Sequence, residues 1–229
     1  MISIVIPALN EAGNLSRLLP ELARRWPDAE VLVVDGGSHD ATAAVARDNP
    51  RVRYEATPPG RARQMNAGAR ASHGTVLLFL HADTRLPPGA LEALEEALRD
   101  PDVAGGRFDV AFDSRLRIMR VVAALMNVRS RLTGIATGDQ AIFVRREVFE
   151  ALGGFPEIPL MEDIEFAKRL KRRGRLACLR LRVTTSARKW EREGPLRTIT
   201  LMWLLRLLYV LGVPPHRLHR HYYGRDPAP

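Results

Sequence analysis

Along the first hundred positions, short apolar runs alternate with segments whose apolar residues recur every three or four places. Residues 2–6 form a compact apolar run and predict a buried strand. Within 11–25, Leu15, Leu18, Leu19 and Leu22 share one face and predict a helix. Residues 30–35 are again apolar and β-branched. Residues 41–47 predict a second helix, with Asp40 placed to cap it. A short strand at 52–54, a helix at 62–71, a fully apolar strand at 75–80 and a helix at 88–98 with Pro88 near its first turn complete the series. This order predicts an α/β fold with a mostly parallel central sheet flanked by helices. The strand carboxyl ends then share one edge, where ligands bind.

After Pro101 the pattern changes. Strands are expected at 103–110, 140–144 and 176–183, and a helix at 162–173 is ended by Gly174. Two helical segments mix apolar residues with arginine, at 116–132 and 196–211. The second is shorter than the ~20 apolar residues a spanning helix needs, and it contains Arg206. It can dock on the core or lie in a membrane interface, with Arg197, Arg206, Arg217 and Arg220 toward lipid phosphates. The expected organisation is one domain over 1–194 and a basic helical extension over 195–229. There are no repeats and no low-complexity linker.

Charge sharpens this division. The net charge is +9, and residues 168–229 hold 16 Lys and Arg against 3 Asp and Glu, while residues 1–167 hold 19 against 23. The basic end points to an anionic partner or to a solvated arginine-rich surface. A single cysteine, Cys178 between apolar neighbours, excludes a disulfide scaffold and reads as a buried structural thiol in a reducing compartment. The start, Met1-Ile2-Ser3-Ile4, has no basic leader region, so a cytoplasmic protein is expected, with peripheral contact to the inner membrane face as an option.

Four polar clusters fall at the predicted strand ends. Pro7-Ala8-Leu9-Asn10-Glu11 opens the first helix, where backbone amides can face an anion, or where Asn10 simply caps the helix. Val34-Asp35-Gly36-Gly37-Ser38-His39-Asp40 ends the second strand with an acid that can bond a base or ribose and with glycines that turn tightly, as Gly37 does for close approach to a ligand. His81-Ala82-Asp83 follows the most apolar strand, where a carboxylate can hold a divalent cation against a diphosphate. Glu162-Asp163 opens a helix, which suits the helix dipole and equally suits a general base whose neighbour raises its pKa.

Taken together, these segments resemble the motif series of inverting glycosyltransferases of family two, which have the GT-A-type nucleotide-binding fold. Gly60-Arg61-Ala62-Arg63-Gln64-Met65-Asn66-Ala67-Gly68 matches that family's loop-to-helix segment, and Gly138-Asp139-Gln140 and Glu162-Asp163 match its acceptor side. Order and spacing agree over residues 2–175. The Gly-Arg-Ala-Arg-Gln-Met-Asn and Leu-His-Ala-Asp-Thr stretches are most similar to a bacterial subgroup named for radical-SAM/selenodomain or arsenosugar gene context. The resemblance implies a nucleoside-diphosphate-sugar donor, an acceptor it does not name, and a divalent cation, Mn²⁺ or Mg²⁺. It assigns Pro7, Asn10, Glu11 and Asp35 to the nucleotide, Arg61 and Asn66 to the donor side, and Asp139 and Gln140 to sugar or acceptor. Asp83 is assigned to the metal, with His81 where the family has a second carboxylate. Asp163 is the implied base, with Glu162 beside it. Ser186-Ala187-Arg188-Lys189-Trp190 partly matches a Gln-x-x-Arg-Trp motif, so Lys189 and Trp190 are expected near donor phosphate or acceptor.

Two other readings fit parts of the chain. A sugar-phosphate nucleotidyltransferase shares the fold logic, but 9–14 lacks the basic residue its phosphate loop needs. A non-catalytic basic module fits the C-terminal third and ignores the acidic clusters. No nucleic-acid partner is expected.

Overall fold

The structure, a computed structural model, describes residues 1–224. The first half follows the pattern: β1 (Ile2–Ala8), α1 (Ala12–Arg25), β2 (Glu30–Asp35), α2 (Thr42–Arg47), β3 (Val52–Ala56), α3 (Arg61–Ala71), β4 (Val76–Phe79), β5 (Thr84–Arg85) and α4 (Ala90–Ala97). The second half adds β6 (Val103–Asp113), α5 (Arg117–Thr133), β7 (Phe143–Arg145), α6 (Arg146–Ala151), α7 (Glu162–Leu170), β8 (Arg175–Ser186), α8 (Arg188–Glu193), α9 (Pro195–Val210) and α10 (Pro215–Tyr223). The strands form one eight-stranded sheet in the order β3-β2-β1-β4-β7-β6-β8-β5. β3, β2, β1 and β4 are parallel neighbours, as are β6 and β8, whereas β7 runs against both β4 and β6, and β5 against β8. The sheet is mostly parallel but mixed.

Unbroken apolar strands are needed because both faces are covered. Ile4 and Ile6 point to Leu15, Leu19 and Leu22 of α1 and Leu94 of α4. Val5 between them points the other way, to Met65 of α3, with Leu77 and Phe79 of β4, Phe149 and Phe166. Alternation along the pleat therefore feeds two cores. Gly68 lets α3 lie directly on the sheet: a Cβ there would collide with Val5 and Val34.

Several boundaries depart from the pattern. The expected strand at 140–144 begins only at Phe143, because Gly138–Gln140 is a tight 3-10 turn. Thr137 and Gln140 close that turn as a reciprocal capping box, and Ala141 then adopts φ +48°. Pro88 lies outside α4, which starts after Gly89 at φ +74°. α7 stops at Leu170, where the chain tightens into a turn through Arg172 N–H to Arg169 C=O. Cys178 is half-buried on β8, not fully buried. β5, α6, α8 and α10 have no counterpart in the pattern. Leu205 of α9 and Leu218 of α10 pack on Met161 and Ile164 at the start of α7, forming a third small core. Residues 225–229, which carry the end of the expected extension, lie outside the described residues. Among the described residues, no helix is long and apolar enough to cross a membrane.

Candidate active site

The carboxyl ends of β1, β2 and β4 meet at one edge, and their loops are stitched together. Asn10, at φ +57°, donates its backbone N–H to Ser38 Oγ (2.8 Å), and its Oδ1 accepts from His39 N–H (2.9 Å). Asp40 accepts from the first amides of two helices, Ala12 in α1 (3.2 Å) and Thr42 in α2 (3.0 Å). α2 starts one residue later than expected, with Ala41 at its N-cap, so Asp40 sits just outside the cap position and bonds the first amides of both helices, while Asn10 shapes the loop. Asp35 is buried, 3% exposed, and accepts from Ser38 N–H (2.9 Å), Ser38 Oγ (2.6 Å) and Tyr54 OH (3.0 Å). Gln64, reaching from α3, donates to the carbonyls of Ala8 (2.7 Å) and Val34 (2.8 Å) and locks these two strand ends. Pro7 and Glu11 are half-buried beside this edge, and Gly37 stands exposed at φ +88°.

Glu11 accepts a bond from Asn14 Nδ2 (2.6 Å). Its pKa is raised, first by burial and further by the negative charge of Asp83, against the Asn14 bond. Two carboxylates that repel one another mark a place where a cation is favourable. Asp83 Oδ1 lies 3.4 Å from the hydroxyls of Thr84 and Thr185. Among the described residues no three His, Cys, Asp or Glu side chains gather as a metal cage. Asp83 alone supplies one carboxylate, so a divalent cation here would need a diphosphate to complete its oxygen shell. His81 turns elsewhere. Its Nδ1 faces Asp139 Oδ1 at 3.4 Å, and its buried Nε2, without a hydrogen-bond partner, abuts Gly138, where a Cβ would collide with the ring.

A second cluster lies beside this edge. A small pocket is lined by Arg61, Met65, Phe79, His81, Gly138, Phe155, Glu162 and Asp163, among others. Met161 precedes α7 at φ +71°, a strained conformation for a residue with a side chain, and it sets the angle at which the two acids enter. Asp163 Oδ2 accepts Gly138 N–H (2.9 Å) and its Oδ1 accepts Ile164 N–H (2.7 Å). Glu162 is buried, with Arg61 Nη1 at 3.7 Å. Burial raises the Glu162 pKa; Arg61 opposes this and Asp163 adds to it. Burial works against the Arg61 charge, but Glu162, Asp163 and Asp139 outweigh it and raise its pKa. For Asp139, burial is outweighed by the His81 bond and by the charges of His81, Arg61 and Lys189, so its pKa is lowered.

Asp139, His81, Arg61, Glu162 and Asp163 are thus brought together. Others are not. Asn66 is buried, with Nδ2 bonded to Phe155 C=O (2.8 Å) and Oδ1 to Phe155 N–H (2.9 Å). Gln140, 0% exposed, serves the 137–140 turn. Trp190 packs edge-on against Phe112.

Lys189 does face the cleft, and burial lowers its pKa. Its Nζ sits 3.4 Å from the Tyr222 ring centroid, a cation–π contact from α10. Tyr222 also senses the charges of Arg61 and Asp139. Tyr222 escaped the sequence reading because no motif marks it; its signal was only an aromatic pair ending a basic segment. Arg129 of α5 escaped likewise. Its Nε and Nη2 are buried without hydrogen-bond partners, and burial lowers its pKa although the charge of Asp163 works the other way.

The model of glycosyl transferase family 2 matches residues 3–153. The chain belongs to glycosyl transferase family 2. It is 28% identical over 184 residues to the glycosyltransferase AglE of Haloferax volcanii, covering 73% of this chain and 60% of that one. It is 35% identical over 172 residues to the undecaprenyl-phosphate 4-deoxy-4-formamido-L-arabinose transferase of Sodalis glossinidius, covering 66% and 51%. The transferase therefore spans about half to three fifths of the length of these relatives. Crystal structures of S. aureus TarS 1-349 with UDP and with UDP-GlcNAc share its fold at TM-score 0.66, with 18% and 17% identity and 81% of this chain covered (60% and 58% of theirs). The fold is of the GT-A glycosyltransferase type. Membership of this family favours neither the non-catalytic module nor the nucleotidyltransferase reading.

Proposed function

We propose that this transferase moves a sugar from a nucleoside-diphosphate sugar to an acceptor hydroxyl, with inversion at the anomeric carbon. The observation that carries the reading is the convergence, in one pocket, of Asp163 and Glu162 from α7, Arg61 from α3, Gly138 and His81, whose ring faces Asp139 at 3.4 Å. The two TarS complexes hold UDP and UDP-GlcNAc in a domain of the same fold, which supports a nucleotide-sugar donor.

In this mechanism Asp163 accepts the proton of the acceptor hydroxyl, whose oxygen attacks the anomeric carbon. The bond to the nucleoside diphosphate breaks on the opposite face and its electron pair leaves with the phosphate oxygen. The Gly138 N–H bond fixes the Asp163 carboxylate in place, and Arg61 offsets negative charge. Asp83 would hold a divalent cation, Mn²⁺ or Mg²⁺, which when bound neutralises the diphosphate. His81 orients Asp139 and is a second ligand only if its ring turns. The loops carrying Pro7, Asn10, Glu11 and Asp35 form the nucleotide side, and Lys189 reaches toward donor phosphate. Residues 1–194 act as the catalytic domain and 195–229 as a helical extension. A cytoplasmic enzyme with peripheral membrane contact fits the basic extension, and the subgroup named for radical-SAM/selenodomain gene context fits the 60–66 and 80–84 segments.

Calorimetry with UDP, GDP and dTDP, each with and without Mn²⁺, tests this reading. Binding of one nucleotide, strengthened by Mn²⁺, is the expected result. A folded protein that binds none of the three overturns the donor assignment.

A further inference from the structure

Two helices leave their apolar faces uncovered. On α9 only Thr198 and Leu205 are buried, while Leu196, Trp203, Leu204, Leu207, Val210 and Leu211 at its end are exposed, Trp203 by 68%. At ~100° per residue, these positions fall on one side of the helix, with Arg197 and Arg206 at its two borders. On α5, the exposed Ile118, Val121, Leu125, Val128 and Leu132 form a second stripe, Leu132 being 82% exposed. Arg117 and Arg120 lie along one border of that stripe. Neither helix contains an acidic residue. Contiguous exposed apolar surface on this scale marks an interaction site.

We infer that α9, together with α5, whose following residue Ile135 packs on the Leu205 cluster, docks on an anionic lipid bilayer and lies in the headgroup region, so that the cleft opens onto the membrane surface. The composition of the face selects this occupant. An apolar stripe with a tryptophan in its middle and arginines on its borders suits the interface between acyl chains and anionic headgroups. A second copy meeting the same face about a two-fold axis would bring arginines against arginines with no carboxylate between them. The helices have 16 and 17 residues, short of a span. Both border the catalytic end. Ile135, just after α5, packs into the cluster in which Leu205 of α9 touches Met161 and Ile164, the residues flanking Glu162 and Asp163. On the proposed transferase reading, an acceptor carried by a lipid would enter from this side. Arg129 on α5, with its unpartnered guanidinium nitrogens, would meet the negative charge of its headgroup.

The test is sedimentation of the full chain with vesicles of phosphatidylglycerol and phosphatidylcholine, against vesicles of phosphatidylcholine alone. Binding is expected to the anionic vesicles, to weaken but persist when salt is raised from about 0.05 to about 0.5 M as screening removes only the ionic part, and to fall at least tenfold in the Trp203→Glu, Leu207→Glu double variant. These side chains are exposed, so the variant should keep its circular dichroism and its UDP affinity. Arg24→Glu, on the exposed side of α1, changes charge without touching the face and should bind vesicles like the parent. Equal loss in Arg24→Glu, no preference for anionic vesicles, or a parent that is dimeric by ultracentrifugation and monomeric in the double variant would overturn the inference. Vesicle binding without any nucleotide binding would instead leave this face standing and remove the transferase reading on which the acceptor argument rests.

Discussion

Asp163 and Glu162 are neighbours in sequence with different surroundings, and these separate their roles. Asp163 is half-buried on the pocket wall with its carboxylate oriented by two backbone amides. Glu162 is buried against Arg61 and behaves as part of the wall that sets the local field. On the proposal that Asp163 is the base, replacing it removes proton transfer but little binding, so Asp163→Asn should lower kcat by about 10²–10⁴-fold. Its affinity for the nucleotide should stay within about twofold, because the proposal assigns the diphosphate to other residues; this threshold separates loss of chemistry from loss of a site. Steady-state kinetics and calorimetry on the same preparation check both halves, and a parallel loss of binding would remove Asp163 from its role.

Glu30 makes a residue-scale prediction about stability. It accepts bonds from Ser3 Oγ (2.6 Å) and His73 N–H (2.7 Å) and pairs with Arg53 (2.8 Å), tying the starts of β1 and β2 to the end of α3. Burial alone would raise its pKa, yet these donors win and lower it from 4.5 to about 2. A carboxylate with a depressed pKa stabilises the fold above its unfolded value and loses that contribution as pH falls through the folded one. Because solvent screens its exposed partners Arg53 and His73, Glu30→Gln should cost about 1–2 kcal/mol at pH 7 and progressively less below pH 4.5, with the two proteins converging near pH 2 in urea melts. Glu162 has the opposite sign. Its raised pKa means that ionisation above 4.5 works against the fold.

At the scale of elements, the cleft depends on polar side chains that never face it. Asn66 on α3 binds both backbone groups of Phe155, whose ring packs on Phe79 and Phe166 beneath the pocket. Asn66→Ala leaves a buried N–H and C=O unpaired and should cost about 2–4 kcal/mol. If the residue only positions this loop, nucleotide affinity measured well below the new melting temperature should be unchanged; a tenfold loss would make Asn66 a ligand contact. The same distinction explains what could be read from the sequence. α1 was legible because Leu15, Leu18, Leu19 and Leu22 repeat the helical period, and β1, β2 and β4 because doubly covered strands must be apolar throughout. The proximity of Asp139, Glu162 and Asp163 was legible from their places at a turn and a helix start that the topology brings to one sheet edge. Asn66 and Gln140 stood in the same motifs, but their bonds run to backbone groups 89 residues away and within a turn, respectively. No local pattern separates a polar residue that satisfies the backbone from one that binds a ligand. β5, with two residues, and α10, whose only buried side chain is Leu218, lack the length or periodicity to announce themselves.

For the whole molecule, the charge asymmetry follows the chain, with the basic excess in its last third. The sheet edge with its loops is complete within the first 186 residues, where β8 ends. α9 and α10 add no strand; they place Leu205 and Leu218 on Met161 and Ile164 and lay Tyr222 over Lys189. A chain ending at Gly194 should therefore still fold and bind nucleotide, because the β1, β2 and β4 ends and their locks remain. It loses two fully buried leucines, worth about 3–6 kcal/mol together, so its melting temperature should fall. Turnover should fall further than stability accounts for, since the start of α7 loses the surface that fixes Met161 in its strained conformation, and Lys189 loses its ring. Thermal melts, UDP titration and turnover of the truncated chain decide the matter. A truncated chain that folds and binds but turns over slowly supports a separable extension that completes the acceptor side. One that cannot fold would mean that α9 and α10 belong to the core, and that the division at residue 194 does not exist.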